Sequence, residues 1–455
     1  FEAPSVDEDT LLTFKVNGSV DGNNVSDTVT ILVEDSDIIK SNAYFKDRLA
    51  TTFAYDNASP YSQDIVNCVY SNKLSSSCTL KTLPLIAQQS LNPSVDDIMS
   101  RVVVSHQWMG DRFKDFLLSN DGDNDFKNLL RATTAIVISY DIRPSFYWAA
   151  TGAIYLDPNN LWLSPDERDT INQAPDYRGS FGSELQFTMP WRYIKDNDYA
   201  TLYPAENLRI SRNKNESLYR LASLMYHELA HANDFFPKTE WFIHNQNLRV
   251  LDAALNTNFE SDVLAIAYPL NGVEMYALAQ VSFSGESATN IQKSYLPDDI
   301  KGFFSTEAAN HYYNYSSPRE DYAMLFEELM MQLRYDVFRD TAVTNLPSGD
   351  DVTSRDYIVS WGQRGRIGEA DIKTRVEFVT KRILPEFDSS TLIANLPQPI
   401  AMTEGNNWLD NLFISPIGIS KSKKVKAVKA SNISIELYQE VNKQRPYYHK
   451  DLPKS

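Results

Sequence analysis

The clearest hydrophobic pattern in the chain lies between Glu216 and Phe236. Apolar side chains recur there at intervals of three and four residues, at Leu218, Leu221, Leu224 or Met225, and Leu229. This spacing places them on one face of an α-helix. Pro237 cannot continue a helix because proline lacks the backbone N–H and clashes with the preceding turn. We therefore predict an amphipathic helix from Glu216 to Phe236.

A second helix is predicted from Pro318 to Phe338. Its apolar stripe is formed by Tyr322, Leu325 or Phe326, Leu329 and Leu333. Pro318 suits the first turn, where the missing N–H would have no helical partner. The two predicted helices contain most of the candidate metal-binding and catalytic residues.

Two runs near the beginning of the chain are rich in β-branched residues. Residues 10–16 (TLLTFKV) and 28–33 (TVTILV) flank a segment that contains the turn-forming residues Asp21-Gly22-Asn23-Asn24. They predict two strands and a turn, which cannot form a domain alone. The stretch around them resembles the closing strands of immunoglobulin-like repeats in bacterial surface proteins, which implies further repeats upstream in a longer precursor.

The rest of the chain mixes helical and strand patterns. We predict a helix around Val95 to Leu118 and a strand around Thr134 to Tyr140. The aromatic-rich segment that follows, residues 143–193, is interpreted mainly as core because aromatic side chains bury large areas. Together these elements predict an α+β fold.

Composition narrows the function classes. The 455-residue chain has a formal charge of −17 and a pI near 4.9, which argues against binding nucleic acid because such proteins need a basic surface. No run of 18 apolar residues is present, so no transmembrane segment is predicted. The chain begins at Phe1 and not at Met, from which we expect that a leader or upstream sequence has been removed.

Only two cysteines occur, Cys68 and Cys78, and their spacing suits a small disulfide loop in an oxidising compartment. Two unrelated buried thiols are the alternative. With the acidic composition, the pair favours an extracellular or bacterial cell-surface location, with the periplasm as a further possibility.

The strongest chemical signal is His227-Glu228-Leu229-Ala230-His231, inside the first predicted helix. Two imidazoles four residues apart project from the same helix face and can share one metal ion. Zn²⁺ suits this site because it polarises a scissile carbonyl and activates water at neutral pH, and Glu228 is placed to act as general base. The structural alternative is a solvated helix face with ordinary i,i+4 contacts.

A catalytic zinc site needs a third protein ligand. A third histidine six residues after His231, as metzincins require, is excluded because that position is Pro237. Asp234 continues the same helix face and is predicted to orient an imidazole from the second shell of the site. His244 is a weak ligand candidate, since it follows in a less regular segment.

The block from Tyr313 to Phe326 is similar to the glutamate-liganded zinc peptidases (gluzincins), in the group related to anthrax lethal factor and the Pro-Pro endopeptidases. The similarity lies in the His-Glu-X-X-His pattern, in Asp234, and in the downstream pattern Glu-X-aromatic-Ala-X-X-Phe, here Glu320, Tyr322, Ala323 and Phe326. The resemblance implies that Glu320 is the third zinc ligand.

In that group a tyrosine seven residues before the ligand glutamate donates a hydrogen bond to the developing oxyanion. Tyr313 stands at this spacing, and Tyr315 is the alternative if the loop register differs. The group also has an acidic residue four positions after the ligand, where this chain has Met324. Asp321 or Glu327 is therefore expected to substitute as the second-shell carboxylate.

The sequence thus predicts a secreted or surface zinc metallopeptidase that hydrolyses protein or peptide substrates through a zinc-activated water. The expected fold is α+β, with a largely helical zincin-like catalytic domain, a small β-sheet and the preceding hairpin. The expected divisions are residues 1–37 for the hairpin, 38–200 for the N-terminal part of the peptidase region, 201–395 for the zinc-binding region, and 396–455 for an extension with a lysine-rich tail. The alternative is a cell-surface adhesion or binding module with a structural or relict metal site.

Overall fold

The structure is a computed structural model, and it describes residues 4, 10–20, 23–33, 52–69, 77–172, 179–201, 210–349 and 352–414. Its strands are β1 (Thr10–Val20), β2 (Asn23–Val33), β3 (Phe53–Ala54), β4 (Val102–Val104), β5 (Ile136–Ile138), β6 (Phe146–Trp148), β7 (Ala153–Leu156), β8 (Phe187–Thr188), β9 (Trp191–Lys195), β10 (Asp198–Tyr199), β11 (Phe338–Asn345), β12 (Val359–Arg364) and β13 (Ile400–Ala401).

Helices make up much of the same part of the chain. They are α1 (Ile65–Val69), α2 (Ile86–Gln89), α3 (Val95–Met99), α4 (Gln107–Asn120), α5 (Asp125–Leu130), α6 (Pro165–Arg168), α7 (Lys214–Phe235), α8 (Val250–Leu255), α9 (Glu260–Ala267), α10 (Val273–Ser284), α11 (Pro297–Phe304), α12 (Pro318–Tyr335), α13 (Ala370–Ile383) and α14 (Ser390–Ala394). The fold is therefore mixed α+β, as the sequence predicts.

The predicted pair of strands near the beginning of the chain forms an antiparallel hairpin, β1 with β2. Pairing runs from Thr10 opposite Val33 to Val20 opposite Asn23. Both strands are longer than the β-branched runs suggested. The predicted boundary at residue 37 lies outside the described residues.

A five-stranded sheet has the order β3-β4-β5-β7-β6. The three middle strands are parallel to each other, and β3 and β6 pair antiparallel at the two edges. Every residue of β4, β5 and β7 is buried. Such uninterrupted burial is typical of parallel strands that are covered on both faces.

A second sheet has the order β10-β9-β11-β12-β13, and β8 also pairs with β11. The antiparallel pairing of β9 with β11 places Tyr193 directly opposite Arg339. This sheet supplies two side chains to the site described below.

Helices α7 and α12 pack against each other in opposite directions. The Tyr226 ring on α7 lies 6.0 Å from the Phe326 ring on α12, whereas Phe235, near the end of α7, lies beneath Arg319 at the beginning of α12. From Met225 onward α7 is buried, as is the stretch Glu320–Gln332 of α12, and these parts contribute to the largest hydrophobic core. Their polar side chains are consequently enclosed between them.

Two of the predicted elements have wrong bounds. The helix predicted from Val95 to Leu118 is instead α3, β4 and α4, because Val102–Val104 is a β-branched run that enters the parallel sheet. The helix predicted to reach Phe338 ends at Tyr335, since Asp336 adopts a left-handed conformation (φ 54°) and β11 begins at Phe338.

Cys68 and Cys78 form a disulfide. None of the helices in the described ranges has both the length and the hydropathy required to cross a membrane. The lysine cluster of the predicted tail, residues 421–429, lies outside the described residues, as does most of the extension from residue 396 onward.

Candidate metal centre

Helix α7 holds the two histidines in a rigid setting. Its first turn is capped by Asn213, whose side chain accepts hydrogen bonds from the backbone N–H groups of Asn215 (2.9 Å) and Glu216 (3.1 Å). Glu216 in turn accepts the Asn213 N–H at 2.6 Å, which completes a capping box. Beyond residue 225 the helix is buried, so His227, Glu228 and His231 face the interior.

Glu320 is held in the first turn of α12. Ser317 caps this helix, and its hydroxyl accepts the backbone N–H of Glu320 itself at 3.2 Å. Pro318 occupies the first helical position, as the sequence predicts. Because α12 runs opposite to α7, its first turn reaches His231 and directs the Glu320 carboxylate towards both imidazoles.

The structure brings His227, His231 and Glu320 together as a possible metal-binding group. The Nε2 atom of His227 lies 3.0 Å from Glu320 Oε2 and 3.2 Å from His231 Nε2. The His231 Nε2 to Glu320 Oε2 distance is 3.4 Å. Zinc bonds of about 2.0–2.1 Å in a tetrahedral site separate neighbouring donors by roughly 3.3–3.4 Å. These three donors therefore have the spacing of one face of a zinc tetrahedron.

The donor types also distinguish between metals. Two imidazole nitrogens and one carboxylate suit Zn²⁺, whereas Ca²⁺ and Mg²⁺ prefer oxygen ligands alone. All three residues are buried. The donor set thus fits zinc, with three protein ligands as in catalytic sites of this metal.

A second buried carboxylate, Glu327, holds the other side of His227. Its Oε2 atom lies 3.0 Å from His227 Nδ1. An ionised carboxylate can only accept a hydrogen bond, so Nδ1 carries the proton. In the neutral imidazole the Nε2 lone pair then faces Glu320 and His231, which is the tautomer that a metal ligand needs.

Glu327 is in turn fixed by two side chains of the six-stranded sheet. Its Oε1 atom accepts hydrogen bonds from the Tyr193 hydroxyl at 2.7 Å and from Arg339 Nη2 at 2.8 Å. The opposing strands β9 and β11 carry this tyrosine and this arginine as direct neighbours. Hydrogen bonds through Glu327 therefore connect the sheet to the metal-binding group.

The buried charges near His227 are mostly negative. Glu228, Glu320, Glu327 and Glu328 are each no more than 2% exposed, and the buried cation Arg339 contacts two of them, Glu327 and Glu328. Buried carboxylates without a compensating charge are strongly destabilising. A divalent cation between the imidazoles and Glu320 would offset the excess.

Burial and the neighbouring charges also shift the pKa values of His227, Glu328 and His311. Burial alone would lower the pKa of His227, but hydrogen bonds to Glu320 and Glu327 raise it from 6.5 to about 10. Burial raises the pKa of Glu328, an effect that Arg339 opposes. Burial and then Arg339 hold the pKa of nearby His311 well below its usual value. Without a metal these environments favour the protonated imidazolium at His227, and a metal ion bound at Nε2 would replace that proton and leave the Nδ1–H tautomer. They favour a neutral imidazole at His311.

The structure places the other predicted site residues as follows. Glu228 is fully buried on α7 next to His227. Tyr313 is buried in a 3₁₀ turn, Tyr312–Tyr315, with its ring 4.8 Å from that of Phe283. The hydroxyl of Tyr315, the alternative to Tyr313, donates to Glu307 at 3.2 Å. The catalytic roles of Glu228 and Tyr313 remain predictions.

The two carboxylates predicted for the second shell, Asp234 and Asp321, have partners outside the metal-binding group. Asp234 accepts the backbone N–H of Ser261 at 2.8 Å, and Asp321 pairs with Arg375 and with Asn314. Neither makes a hydrogen bond to an imidazole. Glu327, which the sequence named with Asp321 as an alternative, makes a hydrogen bond to His227.

His244 is separate from the metal-binding group. Its ring lies 5.5 Å from that of Phe236, in an edge-on contact. Sequence reasoning missed Tyr193 and Arg339, which carry no motif and come from separate strands. Only their pairing in the sheet marks them as part of the site.

No protein-family profile, curated protein or solved structure matches this chain.

Proposed function

We propose that this chain is a zinc-dependent metallopeptidase. The observation that carries the proposal is the convergence of His227 Nε2, His231 Nε2 and Glu320 Oε2 at mutual distances of 3.0–3.4 Å. Bound zinc supplies Lewis acidity and lowers the pKa of water to about 7. The buried excess of carboxylates supports the same conclusion.

The remaining chemistry belongs to the side chains. Glu228, adjacent to the first ligand, takes a proton from the attacking water and returns it to the leaving amine. Tyr313 is proposed to donate its hydroxyl to the oxyanion that develops on the substrate carbonyl. Glu327, Tyr193 and Arg339 do not react; they fix the ring and tautomer of His227.

The site is proposed to be of the gluzincin type, within a zincin-like catalytic domain. Support comes from Glu320, which lies next to both imidazoles although it is 89 residues from His231 in the chain. Position 324, where the lethal-factor-related group has an acidic residue, is Met324 here, and Glu327 one turn further along α12 contacts the imidazole. We propose that the second-shell carboxylate has moved along the same helix.

An extracellular or cell-surface location is part of the proposal. The Cys68–Cys78 disulfide supports it, because disulfides persist in oxidising compartments. The charge of −17 makes a nucleic-acid substrate unfavourable, and the proposed substrate is a protein or peptide.

The proposal is tested by metal content and cleavage together. The wild-type chain is purified, its zinc is measured by elemental mass spectrometry, and casein and gelatin hydrolysis is followed. Wild type should bind one zinc and cleave, and Glu228→Gln should retain zinc but lose at least about 100-fold in rate, since general base catalysis contributes that much. Glu404→Gln is the matched control, because Glu404 is 57% exposed and pairs only with Lys301.

The same experiment separates the alternative function. An adhesion module with a structural metal would bind zinc, yet wild type and Glu228→Gln would both leave every substrate intact. Equal cleavage by wild type and Glu228→Gln would instead show that a contaminant is responsible. Either result would refute the proposed peptidase.

A further inference from the structure

Arg319 lies one residue before the metal-binding Glu320 and forms no salt bridge with a described residue, although Asp234 acts on it through space. Its Nε atom is buried without a hydrogen-bond acceptor. No carboxylate oxygen in the described part of the chain lies within 4.0 Å of its guanidinium. The terminal nitrogens are not among the buried atoms of this half-buried residue, so they reach solvent. This charge is therefore available to a ligand.

Two aromatic rings hold the guanidinium in place. Its central carbon lies 4.5 Å from the centre of the Phe259 ring and 5.2 Å from that of Phe235. The two rings also contact each other, with centroids 5.0 Å apart. Cation–π contacts stabilise the charge without using its hydrogen-bond donors. The side chain is thus oriented while its planar pair of terminal nitrogens stays unoccupied.

Buried polar atoms without hydrogen-bond partners lie around Asp234, whose carboxylate interacts electrostatically with Arg319. They are Asp234 Oδ2, Tyr147 Oη and Tyr322 Oη, each buried, whereas the Ser261 side chain is hydrogen-bonded to Asp234. Tyr147 packs on Phe235 with ring centroids 5.5 Å apart, and Ser261 donates its N–H to Asp234. Tyr322 follows Arg319 by three residues on α12, hence on the same helix face. Proteins leave few buried polar atoms unpaired, so several at one place indicate a site for a ligand.

The distance to the metal-binding group suits an extended peptide. Phe235 follows His231 by one helical turn, which is about 6 Å along α7. Adding the contact with the ring places the guanidinium on the order of 10 Å from the metal donors. An extended chain advances about 3.3 Å per residue. A substrate cut at the metal would therefore bring its second or third residue from the cut to Arg319.

We propose that Arg319, with the hydroxyls of Tyr147 and Tyr322, forms a subsite for a carboxylate of the substrate, two or three residues from the cleaved bond. This inference rests on the proposed peptidase function. A guanidinium binds a carboxylate through two parallel hydrogen bonds. The first turn of α12 adds positive potential. Asp234 offsets the charge of Arg319 only through space, and one of its oxygens is already bound to Ser261.

The carboxylate can belong to an acidic side chain or to the C-terminus of a peptide. The experiment separates these sources with peptides built around one cleavage site found in casein. Each peptide carries Glu or Gln at the second or third position on either side of the cut, with a free or an amidated C-terminus. Values of kcat/KM are measured for wild type, Arg319→Gln and Arg319→Lys, each with its zinc content and circular dichroism spectrum.

Wild type should prefer the carboxylate over its amide at one position by about 10- to 100-fold, the usual strength of a hydrogen bond to a charged group. Arg319→Gln should abolish that ratio, and Arg319→Lys should keep part of it, since lysine retains charge but not the paired donors. The control Arg355→Gln removes one charge from a side chain that is 54% exposed, and it should retain the wild-type ratio. If Arg319→Gln does not fold, Arg319→Lys still tests the subsite.

The outcomes distinguish the two proposals. If wild type cleaves casein but treats every Glu and Gln peptide and both termini alike, the subsite is refuted and the peptidase remains. A uniform loss by Arg319→Gln on all peptides would also refute the subsite, because it would indicate a structural role. If zinc-loaded wild type cleaves nothing, the proposed function fails and the subsite fails with it.

Discussion

Glu327→Gln should weaken zinc binding at the proposed site without removing any of its three proposed ligands. The substitution keeps the shape of the side chain but replaces an ionised acceptor of three hydrogen bonds, from His227, Tyr193 and Arg339. The amide oxygen can still meet only some of these donors, and the amide nitrogen would face another donor. His227 consequently loses the partner that fixes its tautomer.

The magnitude follows from the contacts. Replacing the carboxylate that orients a metal-binding histidine typically lowers metal affinity by about 10- to 100-fold. That range corresponds to roughly 1.4–2.7 kcal/mol, close to the ~1.5–3 kcal/mol of one hydrogen bond to a charged group. We therefore expect the dissociation constant for zinc to rise by one to two orders of magnitude.

Glu328→Gln is the matched control. Glu328 is the next residue on α12 and equally buried, and its Oε2 atom contacts Asn310 at 2.7 Å and Arg339 at 3.6 Å. It makes no hydrogen bond to an imidazole. Zinc affinity of this variant should stay within about threefold of wild type, because the ring of His227 keeps its partner.

The assay is competition for zinc with a chromophoric chelator near neutral pH. Urea unfolding in excess EDTA is measured in parallel, so that affinity is compared only between folded proteins. If Glu327→Gln binds zinc as tightly as wild type, or if Glu328→Gln is weakened as much, the reasoning about the His227 tautomer is wrong.

Three further predictions concern stability. EDTA should lower the melting temperature of wild type but leave that of His231→Ala unchanged, as measured by differential scanning calorimetry. If zinc starts at 100 times its dissociation constant, the loss of stability should be ~2.7 kcal/mol. Cys68→Ser should cost about 2–3 kcal/mol in urea unfolding, the expected effect of opening a loop of this length, and reduced wild type should match the variant. Asn213→Ala should cost about 1 kcal/mol through the lost cap of α7, while Asn215→Ala, which changes no capping side chain, should cost measurably less in the same urea titration.

Much of α7 was predictable because its information is local. A spacing of three and four residues defines the helix, and a spacing of four puts His227 and His231 on one face. Glu320 could be chosen as a ligand candidate only through the resemblance of its surrounding block, since nothing within helical reach of His231 points to it. The folded chain then places it 3.0 Å from His227.

Other features could not be predicted from local sequence patterns because they depend on contacts with distant residues. The run Val102–Val104 lies inside a pattern that predicts a helix, but it forms a strand because it pairs with β5. Asp234 shares the helix face of the histidines, yet Ser261 at the start of α9 binds its carboxylate. In both cases a partner distant in sequence overrides the local preference.

The sequence by itself determined the α+β composition, the two long helices and the pair of imidazoles with their neighbouring carboxylate. Only the tertiary structure decided which carboxylate holds His227, because Glu327 depends on Tyr193, 134 residues away in the chain, and on Arg339 opposite it in the sheet. It alone also brought Arg319 onto Phe235 and Phe259. Periodicity encodes which face of a helix is buried, whereas the packing of separate elements decides what that face meets.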